Sequence, residues 1–185
     1  MQLLPALLVF LFSTQHTFYP EAHGRMDGTI VVQDGRLTMY GTQIDTLWSH
    51  EAFIKAMGEP ESYHDDDKRV EVYDSRGIAV WKENDDYTQV TEFTVSFSLD
   101  DDQFTTDQFK FYSGSIIVEG ISIGPNTTIG DLKQKLPQYN WSTTVGDWYK
   151  GVYKNIFIYT KFDASQQHMV WIDFGLDDEN SWDED

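Results

Sequence analysis

An offset of 79 residues lays one stretch of this chain over another without a gap, placing Gly35 on Gly114, Leu37 on Ile116, Met39 on Val118 and Gly41 on Gly120. The same offset carries Ile44 onto Ile123, Phe53 onto Leu132 and Met57 onto Leu136. Self-similarity at a fixed period constrains a fold more than a single motif does, because each copy has to build the same local unit. Each copy reads as a glycine, an alternating strand, a second glycine, an apolar residue three positions on, and a short amphipathic stretch.

The two-residue period of Leu37 and Met39, and of Ile116 and Val118, predicts half-buried strands. After the second glycine the period changes. Trp48, Ala52, Phe53, Ala56 and Met57 fall at helical spacing, with Ser49 as N-cap and Gly58-Glu59-Pro60 as stop. In the second copy Ile129, Leu132, Lys133 and Leu136 repeat that spacing, capped by Thr127 or Thr128 and stopped by Pro137. Beyond the first helix, Arg69 to Tyr73 and Ile78 to Lys82 flank Asp74-Ser75-Arg76-Gly77 and predict a hairpin. Gln89 to Leu99 reads as a long alternating strand. Gly151 to Phe162 and His168 to Phe174 are the counterparts in the second copy, joined by Asp163 to Gln167. The expected fold is therefore α+β. Two tandem strand-strand-helix-strands repeats, 28–100 and 101–175, form one curved antiparallel sheet, with two short helices covering one face.

The 185 residues carry 31 acidic and 13 basic side chains, a formal charge of −18. Phosphates would be repelled by this surface, which excludes nucleic acid as the expected partner, whereas a basic protein would be attracted. Solubility alone also accounts for an acidic surface. There is no cysteine, so neither a disulfide nor a thiolate nucleophile is available. Leu3 to Phe12 is an apolar run too short to span a bilayer and of the length found in secretory signals. Residues 1–22 accordingly read as a signal peptide, for a periplasmic or secreted protein. A start at Met26 would make the protein cytoplasmic instead. At the other end, residues 176–185 hold six acids and no base and read as an acidic, solvated tail.

No catalytic constellation emerges. The histidines His16, His23, His50, His64 and His168 show no ligand spacing, and no calcium loop pattern, nucleophile elbow or glycine-rich phosphate loop occurs. Neither metal nor cofactor is implied. What stands out is aromatic content in a connecting segment. Tyr139, Trp141, Trp148 and Tyr149 lie between the second helix and its following strands, where large rings serve either as anchors for a partner or as a flap over the core. The matching segment Glu59 to Lys68 is acidic, with Asp65, Asp66 and Asp67 at its centre. Side by side, the two segments would make an aromatic anchor next to a charged rim.

The repeated pattern of Gly41, Ile44, Phe53 and Met57 with Gly120, Ile123, Leu132 and Leu136, together with Tyr73 to Ile78, resembles small bacterial proteins of the toxin-immunity type. It is also similar in plan to tandem-repeat inhibitors that present one face of a curved sheet to an enzyme. The resemblance implies a non-catalytic inhibitor or immunity-like protein that occludes a basic enzyme or toxin. Trp141, Trp148 and Tyr149 would then be anchors, and Asp65, Asp66 and Asp67 the rim. A small envelope hydrolase or carbohydrate-binding protein is the alternative, and a structural envelope factor a third.

Overall fold

Hairpin chemistry opens the described part of the chain. In a computed structural model that describes residues 28–64, 68–82, 88–98 and 110–177, β1 (Thr29–Gln33) turns through Asp34-Gly35 into β2 (Arg36–Met39). Both turn residues have positive φ, 54° and 73°. That backbone matches the twist of the flanking strands, and glycine occupies its second position without steric cost. Tyr40-Gly41 repeats the device before β3 (Thr42–Gln43), as does Glu119-Gly120 between β8 (Ser115–Val118) and β9 (Ile121–Ile123). These five strands form one sheet in the order β3-β2-β1-β8-β9. Its central pair is parallel, Ile30 lying opposite Ile116 and Val32 opposite Val118.

The second sheet has eight strands. Its members are β4 (Ser62–Tyr63), β5 (Val70–Tyr73), β6 (Ile78–Lys82), β7 (Val90–Ser96), β10 (Ser142–Thr143), β11 (Trp148–Tyr153), β12 (Ile156–Phe162) and β13 (Met169–Leu176). They run β10-β11-β12-β13-β7-β6-β5-β4, antiparallel throughout. One face of this sheet meets the buried face of the smaller one. Ile30, Val32, Leu37, Met39, Ile116 and Val118 form a single core cluster with Ile78, Val80, Phe93, Val95, Ile158 and Phe174. Aromatic rings fill its centre: Trp48 lies 5.9 Å from Phe53 and 5.7 Å from Phe93, which stacks on Phe174 at 5.1 Å. Burying such rings dominates the stability of a core of this size.

The helices are short and contribute side chains to that cluster. In α1 (His50–Met57), Ser49 Oγ accepts from the Ala52 amide, and Phe53 and Met57 are buried. In α2 (Ile129–Lys135), Thr128 and Asp131 form a reciprocal capping box and Leu132 is buried. Of the two candidate caps, Thr128 is the one used. Under α1 lies a buried charge network: Lys82 Nζ donates to Glu71 at 2.8 Å and the His50 ring to the same carboxylate at 2.9 Å.

Strand is 47% of the described residues and helix 14%, so the fold is mostly β, in two sheets. The expected α+β arrangement, two tandem repeats on one curved antiparallel sheet, is thereby corrected. The 79-residue offset does relate β2 to β8 and α1 to α2, but the two halves do not each complete a unit. Their first strands share one sheet through a parallel pair, and β7 joins β13 in the other. Periodicity reports which face of a strand is buried and leaves its sheet neighbour open, which is why the division went unread. Gly151 to Phe162 is likewise two strands. Lys154, at φ 58°, turns β11 into β12 without any glycine to mark the place. The signal segment 1–22 and most of the tail lie outside the described residues.

Candidate functional site

Because side chains alternate along a strand, the eight-stranded sheet has a second face, turned away from the core. Directly opposed residues share a face, so the register identifies its rows. One row is Trp148, Lys161, Trp171 and Ser96. The next is Lys150, Tyr159, Asp173, Thr94 and Ala79, and the third Val152, Phe157, Gly175, Glu92 and Trp81. Val72 and Val70 extend the second and third rows onto β5. Val70, Val72, Ala79, Phe157 and Trp171 are buried yet stand outside the main core cluster. This face has its own apolar layer.

Ring contacts tie the rows together. Trp148 meets Trp171 edge-on at 5.0 Å, and Phe157 meets Tyr159 edge-on at 6.0 Å. Lys161 Nζ sits 5.5 Å from the Trp148 ring, and Lys150 Nζ lies 5.2 Å from Phe157 and 5.9 Å from Tyr159. Cation and ring attract at these separations. The lysine stems also cover apolar area while the ammonium groups remain near water.

Two carboxyl groups occupy the middle of this surface. Asp173 lies opposite Thr94, and Glu92, two residues back along β7, is its diagonal neighbour. Burial pushes the Asp173 carboxyl well above its ordinary value, and the adjacent Glu92 adds to the effect against a hydrogen bond with Thr94. Burial raises Glu92 too. Asp173 Oδ1 is buried and has no hydrogen-bond partner. An acid whose proton affinity is raised beside a second carboxyl is able to hold or pass a proton, or to receive an incoming cation that offsets the cost of ionising it. Among the described residues no group of three or more histidine or acidic side chains is placed to hold a metal ion.

The residues singled out from sequence part company here. Trp148 is 38% exposed and belongs to the outer face. Tyr149, one position along, points the other way, is buried in the core and packs edge-on against Phe162 at 5.7 Å. Trp141 is packed against the core as well: its ring stacks on Tyr139 at 5.9 Å, and its indole N–H donates to the Leu136 carbonyl at 3.0 Å. Asp65, Asp66 and Asp67 lie outside the described residues. The described parts of the aromatic and acidic segments include β10 and β4, which are opposite edges of the eight-stranded sheet. Glu92, Tyr159 and Asp173 were missed. Only Asp173 left a signal, as the one charged residue within the apolar run of β13.

A family model described as a domain of unknown function (DUF7738) matches residues 29–133. No curated protein matches. Among solved structures, an extracellular protein containing a SCP domain, from Bacillus anthracis str. Ames, is similar at 13% identity and a TM-score of 0.44. The alignment covers 70% of this chain and 43% of that one, so this chain spans less than half of that protein's length. Among the described residues no helix is long and apolar enough to cross a membrane.

Proposed function

The chain belongs to the DUF7738 family, a domain of unknown function, and we propose that it is a non-catalytic binding protein that occludes a basic partner, an enzyme or a toxin, with the outer face of its eight-stranded sheet. The observation carrying this reading is that the exposed Trp148 and the half-buried Tyr159 and Trp81 share one sheet face, outside the main core, with the buried rings of Phe157 and Trp171. Tryptophan and tyrosine supply contact area at low entropic cost and dominate interface energetics. A charge of −18 steers a basic partner toward the surface and speeds encounter. Asp173 and Glu92, whose proton affinity burial raises, give a lysine or arginine of the partner a destination at the centre of the face. The apolar run Leu3 to Phe12 supports action outside the cytoplasm, in the periplasm or medium.

Crosslinking from the source cell with tagged protein tests the reading. The parent chain and Tyr63→Ala, an exposed position on edge strand β4, are expected to recover the same stoichiometric basic partner. The Trp148→Ala, Tyr159→Ala double variant is expected to lose it while keeping its melting temperature within a few degrees of the parent. Equal recovery by the double variant sinks the proposal.

The carboxyl pair among rings also favours a second reading, carbohydrate binding or hydrolysis on the same face, since glycoside chemistry uses paired carboxyls of unequal proton affinity. Saturable binding of oligosaccharides that is lost with Asp173→Asn, in the absence of any protein partner, would select it.

A further inference from the structure

One end of the sandwich holds a cavity of about 310 Å³ between the tip of the β5–β6 hairpin, the Tyr40 turn and the segment that enters β8. Arg76 reaches into it from the hairpin tip, its guanidinium 4.8 Å from the centre of the Tyr40 ring. Tyr112 closes the far wall, its hydroxyl donating to the Gly28 carbonyl at 2.6 Å. Gly77 holds the parts together: a Cβ on it would stand 2.5 Å from the Lys110 carbonyl oxygen and the Tyr112 amide nitrogen. The walls are therefore backbone and aromatic ring, fixed in place by close packing.

Arg76 is half-buried, and no carboxylate of the described chain pairs with it; its Nη1 is buried without a hydrogen-bond partner. The acids beside it are engaged elsewhere. Glu61 accepts from both the amide and the hydroxyl of Ser75, and Asp74 accepts from Ser62 at 2.6 Å. In a chain with 31 acidic residues against 13 basic ones, counter-ions for an arginine are abundant. A half-buried cation left without one, at the wall of a cavity, calls for an anion from outside, because removing a charge from water is costly unless it is paired.

We propose that this cavity is a binding site for a small organic carboxylate, whose carboxyl pairs with Arg76 and whose apolar body lies between Tyr40 and Tyr112. Guanidinium presents a planar fork that matches a carboxylate, and its position over the Tyr40 ring holds it at the cavity wall. The volume stands at the lower end of ligand sites, which sets the ligand at the size of benzoate rather than of a nucleotide. Tyr40 answers the same charge: burial raises its phenol above the ordinary value, and Arg76 opposes that rise. The site is independent of the sheet face, so neither proposal stands or falls with the other.

Calorimetric titration of the full chain with benzoate, and separately with inorganic phosphate, tests it. One saturable benzoate site is expected, with phosphate at least tenfold weaker and Arg76→Gln weakening benzoate by about tenfold or more, the loss of one charge-assisted pair. Ser113→Trp fills the mouth of the cavity from an exposed position without altering Arg76, and is expected to abolish binding with the melting temperature retained. Absence of a benzoate site in the parent, equal phosphate binding, or unchanged affinity in both variants would each overturn the proposal.

Discussion

Phe157 lies directly across Gly175, its cross-strand partner, so closely that a Cβ on Gly175 would stand 2.1 Å from Phe157 Cζ. The ring takes the place of the side chain the glycine lacks, covering the pleat at the centre of the outer face. The carbonyl oxygen of Thr91 closes the other side at 2.9 Å. Gly175→Ala is therefore expected to destabilise by about 1–3 kcal/mol through overpacking. Part of that cost should vanish in the Phe157→Ala background. Urea unfolding of the four proteins measures the coupling, and strict additivity would show that the ring is not the obstacle.

The two tryptophans that flank β10, Trp141 and Trp148, should respond differently to truncation. Trp148 is 38% exposed and loses chiefly its edge contact with Trp171, about 0.5–1.5 kcal/mol. Trp141, wedged against Gly151 and hydrogen-bonded to Leu136, should lose about 3–5 kcal/mol on replacement by alanine. Thermal unfolding separates the two, and a large drop for Trp148→Ala would return it to the core.

Asp173 makes stability pH-dependent in a stated direction. Burial raises its carboxyl well above the ordinary value, so within that window the folded chain holds a proton that the unfolded chain has released. Stability then falls as pH rises through the window, and the penalty is complete above the raised value. The Asp173→Asn variant carries no such proton. Its stability relative to the parent is expected to increase as pH rises above the ordinary carboxylate value, about 4, and to level off once the raised value is passed, as measured by denaturant midpoints. A difference that does not change with pH refutes the assignment.

The same groups predict proton release on binding. If a cation of the partner sits between Asp173 and Glu92, both acids ionise more easily and affinity rises with pH across the range where the free chain holds their protons. Calorimetry in buffers of different ionisation enthalpy counts those protons, and zero release would detach the carboxyl pair from the interface.

Glu71 behaves in the opposite sense. Burial pushes its carboxyl up, but hydrogen bonds from His50 and Lys82 prevail and hold it below the usual range. Its contribution to stability is present above the ordinary carboxylate value and disappears as pH falls through the lowered one. Glu71→Gln removes the carboxylate that pairs with the buried Lys82 ammonium and is expected to cost about 1–3 kcal/mol at neutral pH. A loss below about 1 kcal/mol, read by urea unfolding at about pH 7, would mean that the pair contributes little to the fold.

Local elements were legible in the residues themselves. The alternation of Leu37 with Met39 and of Ile116 with Val118, the caps Ser49 and Thr128, and the turn at Asp74 to Gly77 are all short-range matters. Backbone sterics and hydrogen bonds within a few residues decide them. Which strands pair was decided elsewhere. The parallel joining of β1 to β8 and the meeting of β7 with β13 depend on closing long loops around a shared core, and composition carries no record of that. The site followed the same division. That Trp148 and Tyr149 are aromatic was plain, but their opposite fates depend on which face of β11 met the core. Glu92 and Asp173 are far apart in sequence and became neighbours only through the register of two antiparallel strands. Sequence alone determined the alternation, the caps, the acidity and the wealth of rings. Only the tertiary structure could bring two distant acids onto one face, because register is a property of the pair of strands and of neither strand by itself.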